Sequence, residues 1–194
     1  MSNEAQATVR AFFALDLDAM SARRIFRASE RLRMASGAPR ATWTPLERVH
    51  VTLKFVEHLP VAAVEPLARV VGARVGETPL PAPFPFTLGA FPNVRRARII
   101  VAELRDDAGA LAALAKAVEA LAHDHGLERE ERAFRPHVTL ARLKLPYDVR
   151  RWLKPVLADG SGECAAASVT LFRSDLGTDG PAYTPLARFA FAKG

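Results

Sequence analysis

Apolar and polar residues alternate along two stretches of the chain that share the tetrapeptide His-Val-Thr-Leu. The first stretch lies near residues 49–56 and the second near residues 134–143. A period of two is typical of a β-strand with one buried face. The sequence therefore predicts two motif strands, with His50 and Thr52 on the polar face of the first and His137 and Thr139 on that of the second.

The same reasoning predicts the elements around the motif strands. Further strands are predicted at residues 9–17, 41–44, 84–88, 98–104, 166–174 and 182–191. Helices are predicted at residues 19–35, 62–75, 106–125 and 146–157, with Asp18 as the first N-cap. Prolines around residues 84–88 favour an edge strand there, and residues 177–180 predict a turn. A strand and a helix precede each motif strand, which suggests a duplication.

Length and composition allow residues 1–194 to bury a full core as one domain, or as two small lobes that share one core. The chain has 194 residues, of which 49% are hydrophobic, and a formal net charge of +6. A basic surface favours an anionic partner. Its one cysteine, Cys164, excludes an internal disulfide and suits a reducing compartment. With no recognisable targeting segment and no apolar run of about 20 residues, we expect a soluble, cytoplasmic protein. A monomer is the default expectation.

Two histidines and two threonines on matching strands predict one shared site. A lone histidine on an apolar strand is more often a packed residue, but here both histidines fall on the polar face. In-line displacement at phosphorus needs a base and an acid on opposite sides, and imidazole titrates near neutral pH. Threonine hydroxyls can bind the phosphate oxygens. This scheme needs no metal or other cofactor, and His123-Asp124-His125 is interpreted as a solvated helix end.

The chain resembles the two-histidine phosphoesterases, and within them the LigT-like bacterial RNA 2′,3′-cyclic phosphodiesterases. Besides the two motifs, the resemblance covers the opening Arg-Ala-Phe-Phe-Ala-Leu, the segment Gly-Ala-Phe-Pro, the run Arg-Pro-His-Val-Thr-Leu-Ala-Arg and the closing Leu-Phe-Arg-Ser-Asp-Leu. It implies a bilobal α+β fold in which two antiparallel sheets flank a central cleft, with a pseudo-twofold duplication. The implied substrate is RNA ending in a 2′,3′-cyclic phosphate, opened to a 2′-phosphate.

The resemblance also implies roles for individual residues. His137 would be the base that activates water, and His50 the acid that protonates the departing 3′ oxygen. Arg142 matches a family position near the phosphate, although strict alternation from His137 turns it to the opposite face unless a bulge intervenes.

Three further side chains are candidates for contact with RNA. Phe13 and Phe55 could stack on a base, but both could equally be core residues, and a core position is favoured for Phe55. Lys54 shares the predicted face of the first motif and could meet RNA phosphates, the alternative being an exposed lysine on the rim of the site.

Two alternative functions stay open from the sequence. One is a phosphodiesterase of small nucleotide cyclic phosphates or of 2′,5′-oligoadenylate on the same scaffold. The other is a non-catalytic RNA-binding module, which the intact histidine and threonine of both motifs disfavour. A 5′-hydroxyl in place of water would also allow weak 2′-5′ RNA ligation.

Overall fold

The computed structural model describes residues 7–157, 162–177 and 180–193, without the side chains of 154–157 and 180. In these ranges the helices separate runs of one to three strands. The strands are β1 (Thr8–Leu17), β2 (Ala41–Trp43), β3 (His50–Pro60), β4 (Phe84–Phe91), β5 (Ala97–Leu104), β6 (His137–Tyr147), β7 (Gly162–Cys164), β8 (Ala166–Gly177) and β9 (Gly180–Ala190). The helices are α1 (Ala19–Met34), α2 (Val61–Gly76), α3 (Ala110–Asp124) and α4 (Arg150–Leu157).

The strands form two antiparallel halves that meet at one residue pair. Their order is β7-β4-β5-β6-β3-β1-β8-β9, with β2 along β6. In the described residues β3 and β6 pair through Val51 and Val138, the same position of the two motifs. A pseudo-twofold axis therefore passes between these valines and relates β3 to β6, β1 to β5 and β8 to β4. The predicted α+β fold is confirmed, although the valine pair joins its two sheets into one.

The helices pack against the apolar side of the sheet and help to enclose its core. Helices α1 and α4 contact the half that contains β4, β6 and β7, whereas α2 and α3 contact β3, and α2 also contacts β9. Helix α1 begins after Asp18, whose Oδ1 accepts a hydrogen bond of 2.6 Å from the backbone N–H of Ser21, so this predicted N-cap is confirmed. No helix in the described ranges is long and apolar enough to cross a membrane.

Several predicted boundaries are wrong. Helix α3 begins at Ala110 because Gly109 is its N-cap, at a φ of 70° that favours glycine. Strand β6 continues to Tyr147, which delays the next helix to Arg150. Strand β4 is not an edge strand, since β7 pairs with residues 84–86. Residues 178 and 179 of the predicted turn lie outside the described residues.

Candidate active site

A β-bulge interrupts the alternation of the first motif strand. Phe13 of β1 pairs with Lys54, and the next residue, Ala14, pairs with Thr52, so that Leu53 has no partner on β1. An extra residue of this kind turns the following side chains to the other face of the strand. Leu53 and Lys54 are consequently both buried, and Phe55 returns to the face of Thr52.

The second motif strand contains a bulge at the equivalent position. Val101 of β5 pairs with Thr139, and Ile100 pairs with Ala141, which leaves Leu140 without a partner on β5. Leu140 and Ala141 are both buried, and Arg142 is exposed on the face of Thr139. The bulge needed to turn Arg142 towards the site is therefore present. In both copies the bulged residue is the leucine of His-Val-Thr-Leu.

The structure brings the five predicted phosphate-site residues to one cavity of about 120 Å³ at the pseudo-twofold axis. These residues are His50, Thr52, His137, Thr139 and Arg142. Each half of the sheet supplies one histidine and one threonine, so the cavity has imidazole and hydroxyl groups from both halves.

His137 is held in a defined orientation by the residue two positions before it. Its Nδ1 donates a hydrogen bond of 2.7 Å to the backbone carbonyl of Arg135, which leaves Nε2 as the nitrogen available for proton transfer. Phe91 packs against the imidazole in a T-shaped arrangement, with ring centroids 4.9 Å apart. The guanidinium of Arg135 lies 4.1 Å from the centroid of Phe91 and 3.3 Å from Glu103, the cross-strand partner of His137.

His50 has closely similar surroundings. It forms a hydrogen bond to the backbone of Arg48, again two residues earlier. Phe12 stacks on its imidazole at 5.0 Å, and Tyr183 packs edge-on at 5.8 Å. The guanidinium of Arg48 lies 5.5 Å from the centroid of Tyr183. Asp16 of β1 is the cross-strand partner of His50, as Glu103 is of His137.

The repeated motif is therefore longer than the tetrapeptide. Arg48 and Arg135 precede the two histidines at the same spacing, so both copies read Arg-x-His-Val-Thr-Leu. The longer repeat is present in the sequence, but its role is visible only in the structure. In each copy the backbone of the arginine binds the histidine, and its guanidinium covers an aromatic ring that flanks the same histidine.

Asp16 is a further site residue that the sequence did not indicate. Its Oδ2 accepts hydrogen bonds from Ser168 Oγ at 2.7 Å and from Thr170 Oγ1 at 2.6 Å. Arg188 lies 3.8 Å from the same oxygen. These contacts fix a negative charge close to His50, because Asp16 and His50 are paired across β1 and β3.

The two histidines differ in electrostatic environment. Burial lowers the pKa of His50 to about 4, although the charge of Asp16 and the hydrogen bond to Arg48 act in the opposite direction. Burial also lowers the pKa of His137, opposed by the Arg135 carbonyl and Glu103 and assisted by the charges of Arg135 and Arg142. Both imidazoles are consequently neutral in the free protein near pH 7.

Acidification should therefore destabilise the protein through His50. A histidine whose folded-state pKa lies below its ordinary value of 6.5 contributes stability above pH 6.5 that is lost as the pH falls towards 4. We expect the free energy of unfolding to fall by on the order of 1 to 2 kcal/mol between pH 7 and pH 5 from this residue. Urea unfolding of the wild type and of His50→Gln at both pH values measures it, and an equal loss in the two proteins would contradict this origin.

Three predictions about side chains near the site are wrong. Phe13 is 0% exposed and lies in the core, because adjacent residues of β1 face opposite sides and Phe12 takes the side of His50. Phe55 is 42% exposed and is not a core residue. Lys54 is 5% exposed, and its Nζ donates to Glu119 at 2.9 Å. The bulge at Leu53 explains both of the last two errors.

The described ranges contain no cluster of three or more His, Cys, Asp or Glu side chains that could hold a metal. His123 and His125 lie at the end of α3 and use their Nδ1 atoms for contacts to the backbone carbonyls of Leu127 and Leu121. They are accordingly part of a helix end.

Comparisons with known proteins give one family. A sequence model of the 2′-5′ RNA ligase superfamily matches residues 21–178. An RNA 2′,3′-cyclic phosphodiesterase of Aeropyrum pernix is 31% identical over 146 residues, which cover 72% of this chain and 80% of that protein. A protein of the same description from Aquifex aeolicus is 30% identical over 154 residues, which cover 76% of this chain and 80% of that protein.

Solved structures match the fold over nearly the whole chain. E. coli LigT complexed with 3′-AMP superposes with a TM-score of 0.72 at 22% identity, over 96% of this chain and 100% of that chain. The protein TT0787 of Thermus thermophilus gives a TM-score of 0.73 at 23% identity, over 94% of this chain and 97% of that chain. At 22% and 23% identity these two matches support the fold alone.

Proposed function

The chain belongs to the 2′-5′ RNA ligase superfamily, and we propose that it is an RNA 2′,3′-cyclic phosphodiesterase that opens cyclic phosphate ends of RNA to a 2′-phosphate. The observation that carries the proposal is the cavity at the pseudo-twofold axis, which is lined by a histidine and a threonine from each motif. The curated relatives that match most of the chain are named for the same activity.

In the proposed reaction water attacks the phosphorus in line with the departing 3′ oxygen. His137 removes the proton of the water, and His50 protonates the 3′ oxygen as its bond to phosphorus breaks. This division of roles follows the family resemblance. Each imidazole has one carboxylate nearby, Asp16 for His50 and Glu103 for His137, and each carboxylate favours the protonated form. His137 also has the positive charges of Arg135 and Arg142, which favour its neutral form, as a base requires.

His50 acquires its proton when the substrate binds. Burial keeps its imidazole neutral in the free protein, because its pKa is about 4. A phosphate anion placed against His50 favours the imidazolium, as any nearby opposite charge does. Binding of the substrate phosphate therefore favours the protonated form of His50 that the proposed acid requires.

Thr52, Thr139 and Arg142 bind the non-bridging phosphate oxygens in this scheme. The two hydroxyls lie on opposite sides of the pseudo-twofold axis, and Arg142 adds a full positive charge to the same cavity. The two hydroxyls and the guanidinium together stabilise the negative charge on the non-bridging phosphate oxygens in the transition state.

The same geometry accepts the 5′-hydroxyl of a second RNA end in place of water. The phosphate then stays on the 2′ oxygen, and the product is a 2′,5′ linkage. Opening of the strained cyclic phosphate supplies the free energy that ATP supplies to other ligases. Because water is present at far higher concentration, ligation is the slower reaction.

The cavity is lined by both motif histidines of a single chain, so the proposed reaction needs no second copy of the protein. We accordingly propose a monomer, acting in the cytoplasm, where a free buried Cys164 is stable in its reduced form.

Turnover is expected to survive chelation, since hydroxyls, imidazolium and Arg142 stabilise the phosphate charge in this scheme. The test incubates the protein with a short RNA that ends in a 2′,3′-cyclic phosphate, in EDTA, and follows loss of the cyclic ester. A His50→Ala/His137→Ala double variant, prepared identically, controls for contaminating nucleases. Loss of activity in EDTA with recovery on adding a divalent metal would overturn the mechanism.

A further inference from the structure

The two ends of the cleft differ although the motifs that form them are related by symmetry. Because both motif strands carry the same bulge, the residue five positions after each histidine faces the cleft. At one end this residue is Arg142, and at the other it is Phe55. One end of the cleft is therefore cationic and the other is aromatic.

A groove of about 600 Å³ begins at the aromatic end. It shares Thr52 and His137 with the phosphate cavity, so the two are continuous. Its apolar wall includes the partly or largely exposed rings of Phe55, Phe91 and Phe134. The phosphate cavity, at about 120 Å³, is much smaller than pockets that enclose drug-sized ligands, which measure roughly 300 to 1,000 Å³.

The groove is also positively charged. Five cationic and two anionic side chains line it. One of the anionic residues, Glu119, forms an ion pair with Lys54 at 2.9 Å. The other, Glu130, accepts a hydrogen bond of 3.1 Å from the backbone of Arg132. Arg10 adds a further charge, with its guanidinium 5.2 Å from the centroid of Phe55.

We propose that this groove binds the single-stranded RNA that leads to the cyclic phosphate, with a base of the preceding nucleotides stacked on Phe55. The proposal rests on the proposed function, since it places the remainder of the same substrate. Exposed aromatic faces beside cationic side chains are what single-stranded nucleic acids require, because every base has a stacking face and every linkage a negative charge. The terminal ribose and phosphate occupy the small cavity, and the RNA chain occupies the groove.

The test compares two substrates, adenosine 2′,3′-cyclic phosphate and a trinucleotide that ends in the same group. The wild type should have a higher kcat/KM for the trinucleotide, because the mononucleotide has no preceding nucleotides to place in the groove. Phe55→Ala should reduce this preference about tenfold, mainly through the KM of the trinucleotide. Phe55→Trp, which keeps a stacking face, should restore it. Tyr147→Ala, which removes another exposed aromatic residue of a motif strand outside the groove, should not reduce it.

A second variant tests the charge of the groove by another route. Arg132→Gln should weaken trinucleotide binding and make the trinucleotide KM less dependent on salt, since one fewer counterion is released.

Equal losses for the two substrates in Phe55→Ala, or no loss for either, would overturn the groove proposal while the phosphodiesterase stands. A loss confined to joining a second RNA with a 5′-hydroxyl would overturn it as well, because the occupant would then be the acceptor strand. Failure of the wild type to open either substrate would refute the proposed function itself.

Discussion

Replacing either His50 or His137 with alanine is expected to lower kcat/KM for a cyclic phosphate substrate on the order of 10² to 10⁴-fold, the usual contribution of a general acid or base. The effect should be large at both positions, because the proposed base and acid act in one displacement. It should appear chiefly in kcat, since neither imidazole is the main phosphate-binding group. Steady-state kinetics with a cyclic phosphate oligonucleotide measures it.

The packing of His50 requires a control for stability. Its ring stacks on Phe12, so His50→Gln, which retains more of the side chain, accompanies His50→Ala, and thermal unfolding shows whether each variant is folded. His58→Ala is the matched control, since His58 is an exposed histidine on the same strand. A folded variant at either motif histidine with near wild-type kcat/KM would contradict the shared site.

Thr52→Val and Thr139→Val are expected to cost on the order of 10 to 10³-fold in kcat, as the loss of one donor to a developing oxyanion does. Valine keeps the branched shape that suits a strand and removes the hydroxyl alone. Because the two threonines occupy equivalent positions, either substitution leaves the other hydroxyl in place, and the loss should be smaller than for a histidine. Single-turnover rates at saturating enzyme separate this loss from weaker binding.

Thr87→Val serves as the control for the threonine variants, because Thr87 is an exposed strand threonine that does not line the cavity. A threonine variant that changed KM and left kcat at the wild-type value would show that its hydroxyl binds the ground state only. That result would contradict its proposed role in the transition state.

The central part of the fold and of the site could be predicted from periodicity and repetition. His50 and His137 were recognisable because one short motif occurs twice with its histidine on the polar side of a strand. The topology then places them together, since β3 and β6 meet at the equivalent residues Val51 and Val138. The two copies of the motif are therefore related by the pseudo-twofold axis of the structure.

Two of the errors near the site, at Lys54 and Phe55, have one physical cause. A period-two pattern assumes an uninterrupted strand, and a bulge adds one residue without any reliable mark in the sequence. The bulges at Leu53 and Leu140 reversed the expected directions of Lys54, Phe55 and Arg142. Each bulge lies in a stretch whose letters continue to read as a regular strand.

Other residues could not be assigned without knowing which strands are neighbours. Asp16 and Glu103 lie far from the motifs in sequence and become partners of the histidines through strand register alone. Phe12 and Phe13 are adjacent phenylalanines, and the sequence does not show which of them faces His50. The register between β1 and β3 places Phe12 on the side of His50. Strand β7 has three residues, too few for a periodic signal.

The identity of the phosphate ester formed from a cyclic phosphate oligonucleotide in EDTA tests the central claim most directly. Phosphorus NMR of the product distinguishes a 2′-phosphate from a 3′-phosphate. The two-histidine site predicts a 2′-phosphate, formed by the wild type and lost in His50→Ala and His137→Ala. A 3′-phosphate, or the same product at the same rate from either variant, would contradict the account.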